Sequence, residues 1–427
     1  MKYKKPKGTE DILSEETGKW QFIEETAYKI FRKYNFYEVR TPIFEHFEVF
    51  VRSVGETTDI VSKEMYDFYD KGNRHIALRP EGTAAFVRSY VEHKRYAPEY
   101  INPFKGYYIG PMFRYERPQS GRLRQFHQIG VEVIGSQNPM TDVETMAMAL
   151  DFFESLGVTQ LKLVINTLGN KSSRLHYIQA LVDYFSSFKT QLSEDSQRRL
   201  KENPLRILDS KEEQDKEIVK NTPSIFEYLD EESTCFFEQI KRLLDQLDIV
   251  YIVDPTMVRG LDYYNHTVFE IMSLASGFGG ILTTLCAGGR YDGLIYEFGG
   301  PEEKNVGFGF ALGIERLLIA IEAEQNKMSL AMDIDIFVAC LDKKNTSLAQ
   351  KASQIARSFG LITEQNIEYR KLKSQLRIAD RAHAKYVLIF GENEVKENNI
   401  TVRKMQNGTE KRVAFEQLTD FFETITN

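Results

Sequence analysis

The stretch FRYERPQSGRLRQFHQIGVE, residues 113–132, decides the fold of this chain. Polar and apolar residues alternate on both sides of its centre, which predicts strands over 107–116 and 125–134. The centre is rich in turn-forming residues and carries three arginines, Arg117, Arg122 and Arg124. We therefore predict a β-hairpin with a cationic tip.

The two predicted strands bring polar side chains onto a shared surface. Because side chains alternate between the faces of a strand, Gln128, Gly130 and Glu132 share one face. Arg114 and Glu116 share a face on the partner strand. This pattern predicts the polar floor of a cavity. A hairpin whose cationic tip only keeps the chain soluble is the alternative.

A second polar stretch, RGLDYY at 259–264, lies between strand-like segments at 250–253 and 267–271. An arginine held beside a glycine can meet an anion through a bidentate fork. The tyrosine pair offers apolar ring faces with polar tips, which suits a small ring that carries nitrogens. On these residues alone, a surface turn between strands is equally consistent.

A third stretch, LRPEGT at 78–83, joins a short apolar strand at 75–78 to a predicted helix at 83–90. Glu81 and Thr83 then offer a carboxylate and a hydroxyl at a strand-to-helix turn, where they can hold an ammonium group. The alternative is a helix cap, since a carboxylate is favoured near a helix N-terminus.

Two glycine-containing stretches follow later in the chain. CAGGRYDGL at 286–294 has paired glycines after a predicted strand, which either allow the backbone to approach a ligand or mark a bulge. GFALGIERLL at 309–318 alternates small and large residues, which predicts a strand packed tightly against a ligand and continuing into a helix. Arg316 lies at that junction, where it can meet a phosphate.

The first half of the chain also predicts the scaffold around these stretches. A helix at 15–34 leads into a strand at 36–40, which ends before Pro42 because proline cannot donate to a sheet ladder. Residues 172–248 are helical and charged and show no strand alternation. We interpret them as a helical insertion between two strands of the sheet.

The chain from residue 331 onward predicts a separate α/β domain. Strands at 334–339 and 386–390 alternate with a helix at 348–359. A basic stripe on one helical face follows, formed by Arg370, Lys373, Arg377 and Arg381. Such a stripe suits RNA phosphates, while a solvated amphipathic helix is the alternative.

Composition limits the class of protein. The chain has 427 residues, 42% of them hydrophobic, and a net charge of −7, so any contact with nucleic acid requires local basic patches. Its three cysteines form no CxxC pair, which argues against a structural zinc site or a disulfide framework and fits a reducing cytosol. No run of about 18 apolar residues occurs. We expect a cytoplasmic protein of two or three domains with no membrane partner.

The hairpin resembles the second signature motif of class II aminoacyl-tRNA synthetases. FRYE at 113–116, followed by Arg122 and Phe126, matches that motif residue for residue. The segment with Arg316 resembles the third motif, although Ala311 stands where the family often has glycine.

The unit that ends at Pro42 resembles the first motif, which builds the dimer interface in that family.

Two other nucleotide-loop patterns can be set aside. Gly307-x-Gly309 has the wrong spacing to Gly313 for a dinucleotide loop. KMS at 327–329 resembles a class I synthetase loop but has no companion motif. No Walker A sequence occurs, so an ATP site here is not a P-loop.

Within class II, the chain resembles the histidyl-tRNA synthetases. Four stretches carry this resemblance: LRPEGT at 78–83, FHQIGVE at 126–132, RGLDYY at 259–264 and AGGRYDGL at 287–294. The match begins at KPKGT, residues 5–9, and covers nearly the whole chain.

The resemblance implies a multidomain α+β and α/β fold. Its class II catalytic core, built on an antiparallel sheet, is expected over 1–170 and 250–325. A helical insertion domain is expected over 171–249. An α/β anticodon-binding domain is expected over 331–427.

The resemblance also implies an activity and its site. The activity is ATP-dependent activation of L-histidine to histidyl-adenylate, followed by transfer of the histidyl group to the 3′ end of tRNA(His). Mg²⁺ is expected to bridge phosphates, and the resemblance assigns no protein ligand to it. The expected working form is a homodimer. The residues it assigns to histidine are Glu81, Gly82, Thr83, Arg114, Gln128, Glu132, Arg259, Tyr263 and Tyr264. The residues it assigns to ATP are Arg114, Glu116, Arg122, Phe126 and Arg316. The catalytic residues it implies are Arg114 and Arg259.

Two other interpretations compete with this one. A non-catalytic, histidine-sensing paralogue, such as the regulatory subunit of ATP phosphoribosyltransferase, typically lacks the anticodon-binding domain and has degraded ATP motifs. This chain keeps Arg114, Phe126, Arg259 and Arg316 and has a tail domain. A glycyl-, prolyl- or threonyl-specific relative would share the second and third motifs but should not carry RGLDYY.

Overall fold

The structure is a computed structural model that describes residues 3–55, 58, 60–119, 121–324, 334–366 and 368–426. The chain divides into two compact units, residues 1–327 and 328–427. The KMS segment at 327–329 and the expected domain limits at 325 and 331 lie outside the described residues. Among the residues that are described, no helix combines the length and the apolar character needed to cross a membrane.

The first unit is built around strands that the sequence analysis largely predicts. In chain order they are β1 (Tyr37–Glu38), β2 (Phe44–His46), β3 (Asp67–Tyr69), β4 (His75–Leu78), β5 (Phe104–Phe113), β6 (Gln125–Ile134), β7 (Leu161–Thr167), β8 (Tyr251–Val253), β9 (Asn265–Ser273), β10 (Thr283–Arg290) and β11 (Gly307–Gly313).

Helices surround these strands. In chain order they are α1 (Ser14–Lys33), α2 (Phe47–Val54), α3 (Thr83–Glu92), α4 (Pro139–Ser155), α5 (Lys171–Ser186), α6 (Glu194–Glu202), α7 (Glu213–Val219), α8 (Glu231–Gln246), α9 (Leu294–Glu297) and α10 (Ile314–Ala323).

The main sheet has the strand order β1-β5-β6-β11-β10-β9-β7-β8. Its six central strands pair antiparallel, while β1 and β8 join the two edges in parallel. A smaller antiparallel sheet has the order β2-β4-β3. The predicted core with an antiparallel sheet is therefore confirmed.

The predicted hairpin is present, but its first strand covers Phe104–Phe113 rather than the predicted residues 107–116. The register runs from Phe104 opposite Ile134 to Phe113 opposite Gln125. Arg114 and Glu116 were expected on the strand and instead follow its end. The amide of Glu116 bonds back to the Arg114 carbonyl at 2.8 Å, which turns the chain out of the ladder.

Helices α1 and α4 cover one part of the main sheet. The apolar residues of α1 that recur at helical spacing face inward, and Phe31 lies 5.2 Å from the Tyr107 ring and 5.6 Å from the Phe152 ring, centroid to centroid. Burying each such side chain contributes about 1.5–3 kcal/mol. Asn138 caps α4 by accepting from the Met140 amide at 2.9 Å, and Gly157 follows its end with φ of 75°.

The predicted helical insertion also appears, as α5 to α8 between β7 and β8. These helices bury Tyr177, Leu181 and Phe185 in a core that also contains Val164 of β7 and Val268 of β9. Residues from the later segment 257–264 pack into the same core. The two strands that flank the insertion lie side by side in parallel, so it leaves and re-enters the sheet at one edge.

The second unit is a five-stranded α/β structure. Its strands in chain order are β12 (Ile336–Cys340), β13 (Thr363–Gln365), β14 (Tyr386–Phe390), β15 (Asn399–Lys404) and β16 (Glu410–Ala414), in the sheet order β13-β12-β14-β15-β16. Its helices are α11 (Thr346–Ser358), α12 (Leu372–Arg381), α13 (Glu392–Lys396) and α14 (Leu418–Thr426). The predicted α/β alternation is confirmed, with the first strand starting two residues late.

Two apolar clusters cover the two faces of this sheet. One joins α11 and α14 to the sheet, and the other joins it to α12. The predicted basic residues Lys373, Arg377 and Arg381 lie exposed on α12, and Arg370 is exposed just before that helix begins.

Candidate active site

Most of the predicted site residues meet around one cavity of about 320 Å³ in the first unit. It lies over β6, β9, β10 and β11, and the hairpin tip and the 259–264 segment form its walls. The predicted residues that line it are Glu81, Thr83, Arg114, Glu116, Arg122, Phe126, Gln128, Glu132, Arg259, Tyr263, Tyr264 and Arg316. Gly82 lies beside the cavity rather than on its lining, where it packs against the Tyr108 ring.

Glu132 forms the buried base of the cavity. Its carboxylate accepts a hydrogen bond from Thr83 Oγ1 at 2.7 Å and another from the Tyr291 hydroxyl at 2.7 Å. Burial raises the pKa of Glu132 to about 8, although both hydroxyl donors favour the charged form. A Cβ on Gly309 would overlap this carboxylate, so the neighbouring strand must carry glycine there. The base of the cavity is therefore polar and closely packed.

Glu81 caps the helix that begins beside the cavity. Its two carboxylate oxygens accept from the backbone amides of Thr83 at 2.7 Å and Ala84 at 2.9 Å. The capping role that the sequence left open is therefore present. Burial raises the pKa of Glu81, and these amides oppose the shift. The same carboxylate lines the cavity, so capping fixes its position there.

Three buried polar atoms at the cavity have no hydrogen-bond partner in the described part of the chain. They are the Tyr108 hydroxyl, Gln128 Oε1 and Arg259 Nε. Leaving such groups unpaired is costly, so their convergence favours a polar ligand. Gly130 leaves room for the Tyr108 ring, because a Cβ at that position would overlap it.

Arg259 forms an ion pair with Glu270 within the cavity wall. Glu270 also accepts from Thr284 Oγ1 at 2.6 Å. Burial disfavours the charged guanidinium, but the attraction of Glu270 outweighs it and the pKa of Arg259 is raised. The guanidinium carbon lies 5.9 Å from the centre of the Tyr264 ring. Arg259 is thus charged and held between a carboxylate and a phenol.

The hairpin contributes a cluster of charges at the other wall of the cavity. Arg114 Nε donates to the Pro80 carbonyl at 2.8 Å, and its guanidinium lies 5.3 Å from the centre of the Phe126 ring. Glu116 pairs with Arg122, with Nε and Oε2 3.0 Å apart. These bonds fix Arg114 although it lies outside the regular strand.

Arg316 extends from the first turn of α10 toward the same charges. Its Nη1 donates to the Thr284 carbonyl at 3.0 Å, and its Nε donates to the Gly121 carbonyl at 3.4 Å. Burial lowers the pKa of Arg316, and the nearby charge of Arg122 lowers it further. The excess of positive charge around Arg316 and Arg122 makes this end of the cavity suitable for a polyanion.

The sequence analysis missed three residues that complete this site. Tyr108 lies inside an apolar strand and gives no polar signal. Glu270 is an acidic residue within the apolar run of β9, which was a usable signal. Tyr291 belongs to a quoted motif, but nothing in the sequence paired it with Glu132.

One expectation about the glycines was wrong. Gly288 and Gly289 were expected after a strand, but they lie within β10. A Cβ on Gly288 would overlap the backbone of β11, so the two strands approach closely there. The neighbouring Arg290 does not line the cavity; it is fully buried in an ion pair with Asp142.

Comparison with known proteins gives a consistent result. A family model described as histidyl-tRNA synthetase matches residues 8–317, and a model described as an anticodon binding domain matches residues 335–425. The histidine–tRNA ligase of Streptococcus pneumoniae CGSP14 is 55% identical over 425 residues, covering 100% of this chain and 98% of that protein.

A second relative, the histidine–tRNA ligase of Ligilactobacillus salivarius UCC118, is 52% identical over 425 residues, covering 100% of this chain and 98% of that protein. Among solved structures, apo histidyl-tRNA synthetase of S. aureus superposes with a TM-score of 0.84 at 41% identity. That match covers 99% of this chain and 100% of the S. aureus chain.

Proposed function

The chain belongs to the histidyl-tRNA synthetase family, and on that premise we propose that it joins L-histidine to ATP and transfers the histidyl group to the 3′ end of tRNA(His). The observation that carries the proposal is the cavity, where Arg114, Arg259 and Arg316 surround a polar pocket based on Glu132. Guanidinium groups suit the phosphates and the carboxylate that must react, and the polar pocket suits an imidazole.

In the first step, a carboxylate oxygen of histidine attacks the α-phosphorus of ATP. A new P–O bond forms, and the bond to the bridging oxygen of the β-phosphate breaks to release pyrophosphate. The carboxylate is already ionised near pH 7, so no general base is needed. Catalysis is therefore positioning of the reactants and charge stabilisation at the α-phosphate, which we assign to Arg114 and Arg259.

In the second step, the terminal ribose hydroxyl of tRNA(His) attacks the carbonyl carbon of the adenylate, and AMP leaves. We assign the acceptor end of the RNA to the helical insertion, which lines a cleft that continues from the active-site cavity. The cleft carries the basic residues Arg198, Arg199, Arg206 and Lys211 together with the acidic residues Asp195, Glu202, Asp209 and Glu212, and its arginines can contact RNA phosphates.

The inner pocket binds the amino acid. Glu132 and Tyr264 hydrogen-bond the imidazole and Tyr263 lines the same space, while Glu81, Thr83 and Gln128, supported by the turn at Gly82, bind the α-ammonium group. Gln128 Oε1, an acceptor with no hydrogen-bond partner in the described part of the chain, supports this assignment. A site that hydrogen-bonds two ring nitrogens rejects analogues that lack them by roughly 10⁴-fold, so no editing domain is required.

The outer part of the cavity binds ATP. Phe126 stacks on the adenine, Glu116 and Arg122 contact the nucleotide, and Arg316 holds the γ-phosphate. The lowered pKa of the half-buried Arg316 supports the last assignment, since an anion would relieve its unfavourable environment. ATP would enter as its magnesium complex, so Mg²⁺ would come with the substrate and would supply positive charge to the reacting phosphates.

Three further properties belong to the proposal. The second unit reads the anticodon, which its exposed basic helix supports. The protein works as a homodimer in the cytoplasm. Exposed apolar side chains at Tyr37, Ile43 and Phe44, around the Pro42 unit, support dimerisation because they leave an apolar patch uncovered.

Charging of tRNA(His) with labelled histidine tests the complete proposal. We expect ATP-dependent incorporation that is abolished when the terminal ribose of the RNA is oxidised with periodate. The competing histidine-sensing paralogue would bind histidine but charge no RNA. Histidine binding without any charging would therefore replace the synthetase proposal with that alternative.

A further inference from the structure

The segment that carries Arg259 and Tyr264 has two different faces. One face lines the active-site cavity through Arg259, Tyr263 and Tyr264. The other face packs into the core of the helical insertion. There, Met257, Val258 and Tyr264 are buried among apolar side chains of α5 and of the 3₁₀ turn Pro204–Ile207, which follows α6. Tyr264 therefore belongs to both the pocket and the insertion core.

Arg174, in the first turns of α5, fixes the backbone of this segment. Its Nη1 donates to the Asp262 carbonyl at 3.0 Å and to the Tyr264 carbonyl at 2.9 Å. One guanidinium nitrogen thus clamps two carbonyls on either side of Tyr263. Regular secondary structure begins only at Asn265, so side-chain bonds must supply the order that a sheet ladder would give.

A second contact from the insertion holds the same segment. Asn203 Nδ2 donates to Asp262 Oδ1 at 2.6 Å. A Cβ on Gly260 would lie 3.0 Å from Arg206 Nη1, so the insertion also packs closely against the glycine beside Arg259. Both contacts come from residues more than fifty positions earlier in the chain.

We propose that Arg174 is a positioning residue of the adenylation site: the helical insertion acts through Arg174, assisted by Asn203, to hold Arg259 and Tyr264 where the histidine carboxylate and imidazole meet them. The inference rests on the proposed function. It assigns the insertion a role in the first chemical step, in addition to any contact with RNA. Arg174 does not line the cavity that receives the substrates, so it acts through the backbone it clamps.

The test compares Arg174→Met, Arg174→Lys and the control Arg242→Met in the full-length protein. Arg242 is an exposed residue of α8 in the same insertion. Because a displacement of about 1 Å costs on the order of 10²-fold, we expect R174M to lower kcat/KM for histidine in pyrophosphate exchange by about 10²-fold, with KM for ATP changed far less. R174K should recover part of the loss, because an ammonium group can still donate to the carbonyls.

A purely structural role would reduce the amount of folded enzyme without moving KM for histidine. R174M that folds and matches R242M in kcat/KM for histidine would overturn the proposal. A rise in KM for ATP as large as the rise in KM for histidine would overturn it as well.

Amide hydrogen exchange tests the positioning role of Arg174 independently of the proposed synthetase activity. We expect R174M to speed amide exchange in peptides covering 259–264 while peptides of β9 stay protected, whether or not the wild-type enzyme activates histidine. An unchanged rate of amide hydrogen exchange in residues 259–264 of R174M would contradict the proposed role of Arg174, even if the wild-type enzyme proved active. Wild-type protein that shows no histidine-dependent pyrophosphate exchange would instead contradict the proposed function.

Discussion

Arg259 and Glu270 form an ion pair that belongs to the wall of the candidate active-site cavity. Both side chains are mostly buried, with 19% and 15% of their surfaces exposed. The pair keeps a charged guanidinium inside the protein and orients it, while Arg259 Nε has no hydrogen-bond partner among the described residues. We therefore expect Glu270 to orient Arg259 toward an anionic substrate as well as to neutralise it.

Arg259→His should lower histidine-dependent pyrophosphate exchange by about 10²-fold or more, because a preorganised charge at the reacting phosphate is lost. The control is Arg242→His, which changes an exposed arginine and should leave the rate unchanged. A near-normal rate for R259H would remove Arg259 from the catalytic centre.

Glu270→Ala should lower the free energy of unfolding by about 3 kcal/mol, because it leaves the charge of Arg259 buried and unpaired. Removing Arg259 at the same time should recover part of that loss. Urea denaturation of the wild type, E270A, Arg259→Met and the double variant completes a double-mutant cycle. Strict additivity of the two single effects would mean that the pair does not interact.

Glu132 should make stability depend on pH in an unusual direction. Its pKa is about 8 in the folded protein against 4.5 for an ordinary glutamate, so between these values the folded state holds a proton that the unfolded state releases. The contribution of Glu132 to the free energy of unfolding therefore falls as pH rises from 4.5 to 8, by up to about 1.4 kcal/mol per pH unit, and is constant outside that window.

Glu132→Gln removes this titration. Thermal unfolding measured across the window should show the wild type losing stability relative to E132Q as pH rises. Parallel pH profiles for the two proteins would show that Glu132 is not protonated in the folded state at neutral pH.

Arg377→Glu should weaken tRNA charging and leave histidine-dependent pyrophosphate exchange unchanged, because the basic face of α12 is proposed to meet RNA phosphates. The matched control is Lys351→Glu on α11, which lies on the opposite face of that sheet. The difference in charging between R377E and the wild type should be largest at low salt and should shrink as salt screens the attraction to phosphates. Equal charging by the two variants would count against an anticodon role for α12.

The sequence was most informative where function requires unusual residue types at short spacing. The hairpin, the 78–83 turn and the strand-to-helix junction at Arg316 each carry polar residues next to apolar runs, and the structure brings them to one cavity. Periodicity predicted α1 and the helical insertion for a similar reason, since burial of one face imposes helical spacing.

Contacts that depend on strand register could not be predicted. Tyr108 stands opposite Gly130 because of the register of the hairpin, and Glu270 stands opposite Ala287 and Val164 because of the order of the strands in the sheet. No local pattern specifies that order. The position of Arg114 beyond its strand has a similar origin, because a bond to the distant Pro80 carbonyl helps to fix it.

Pyrophosphate exchange into ATP, measured with each of several amino acids, tests the central claim most directly. We predict exchange with histidine and rates lower by roughly 10⁴-fold with amino acids that lack an imidazole, because the Glu132 pocket would be left with unpaired polar groups. Folded protein that shows no histidine-dependent exchange, or that exchanges equally well with glycine, proline or threonine, would contradict the account.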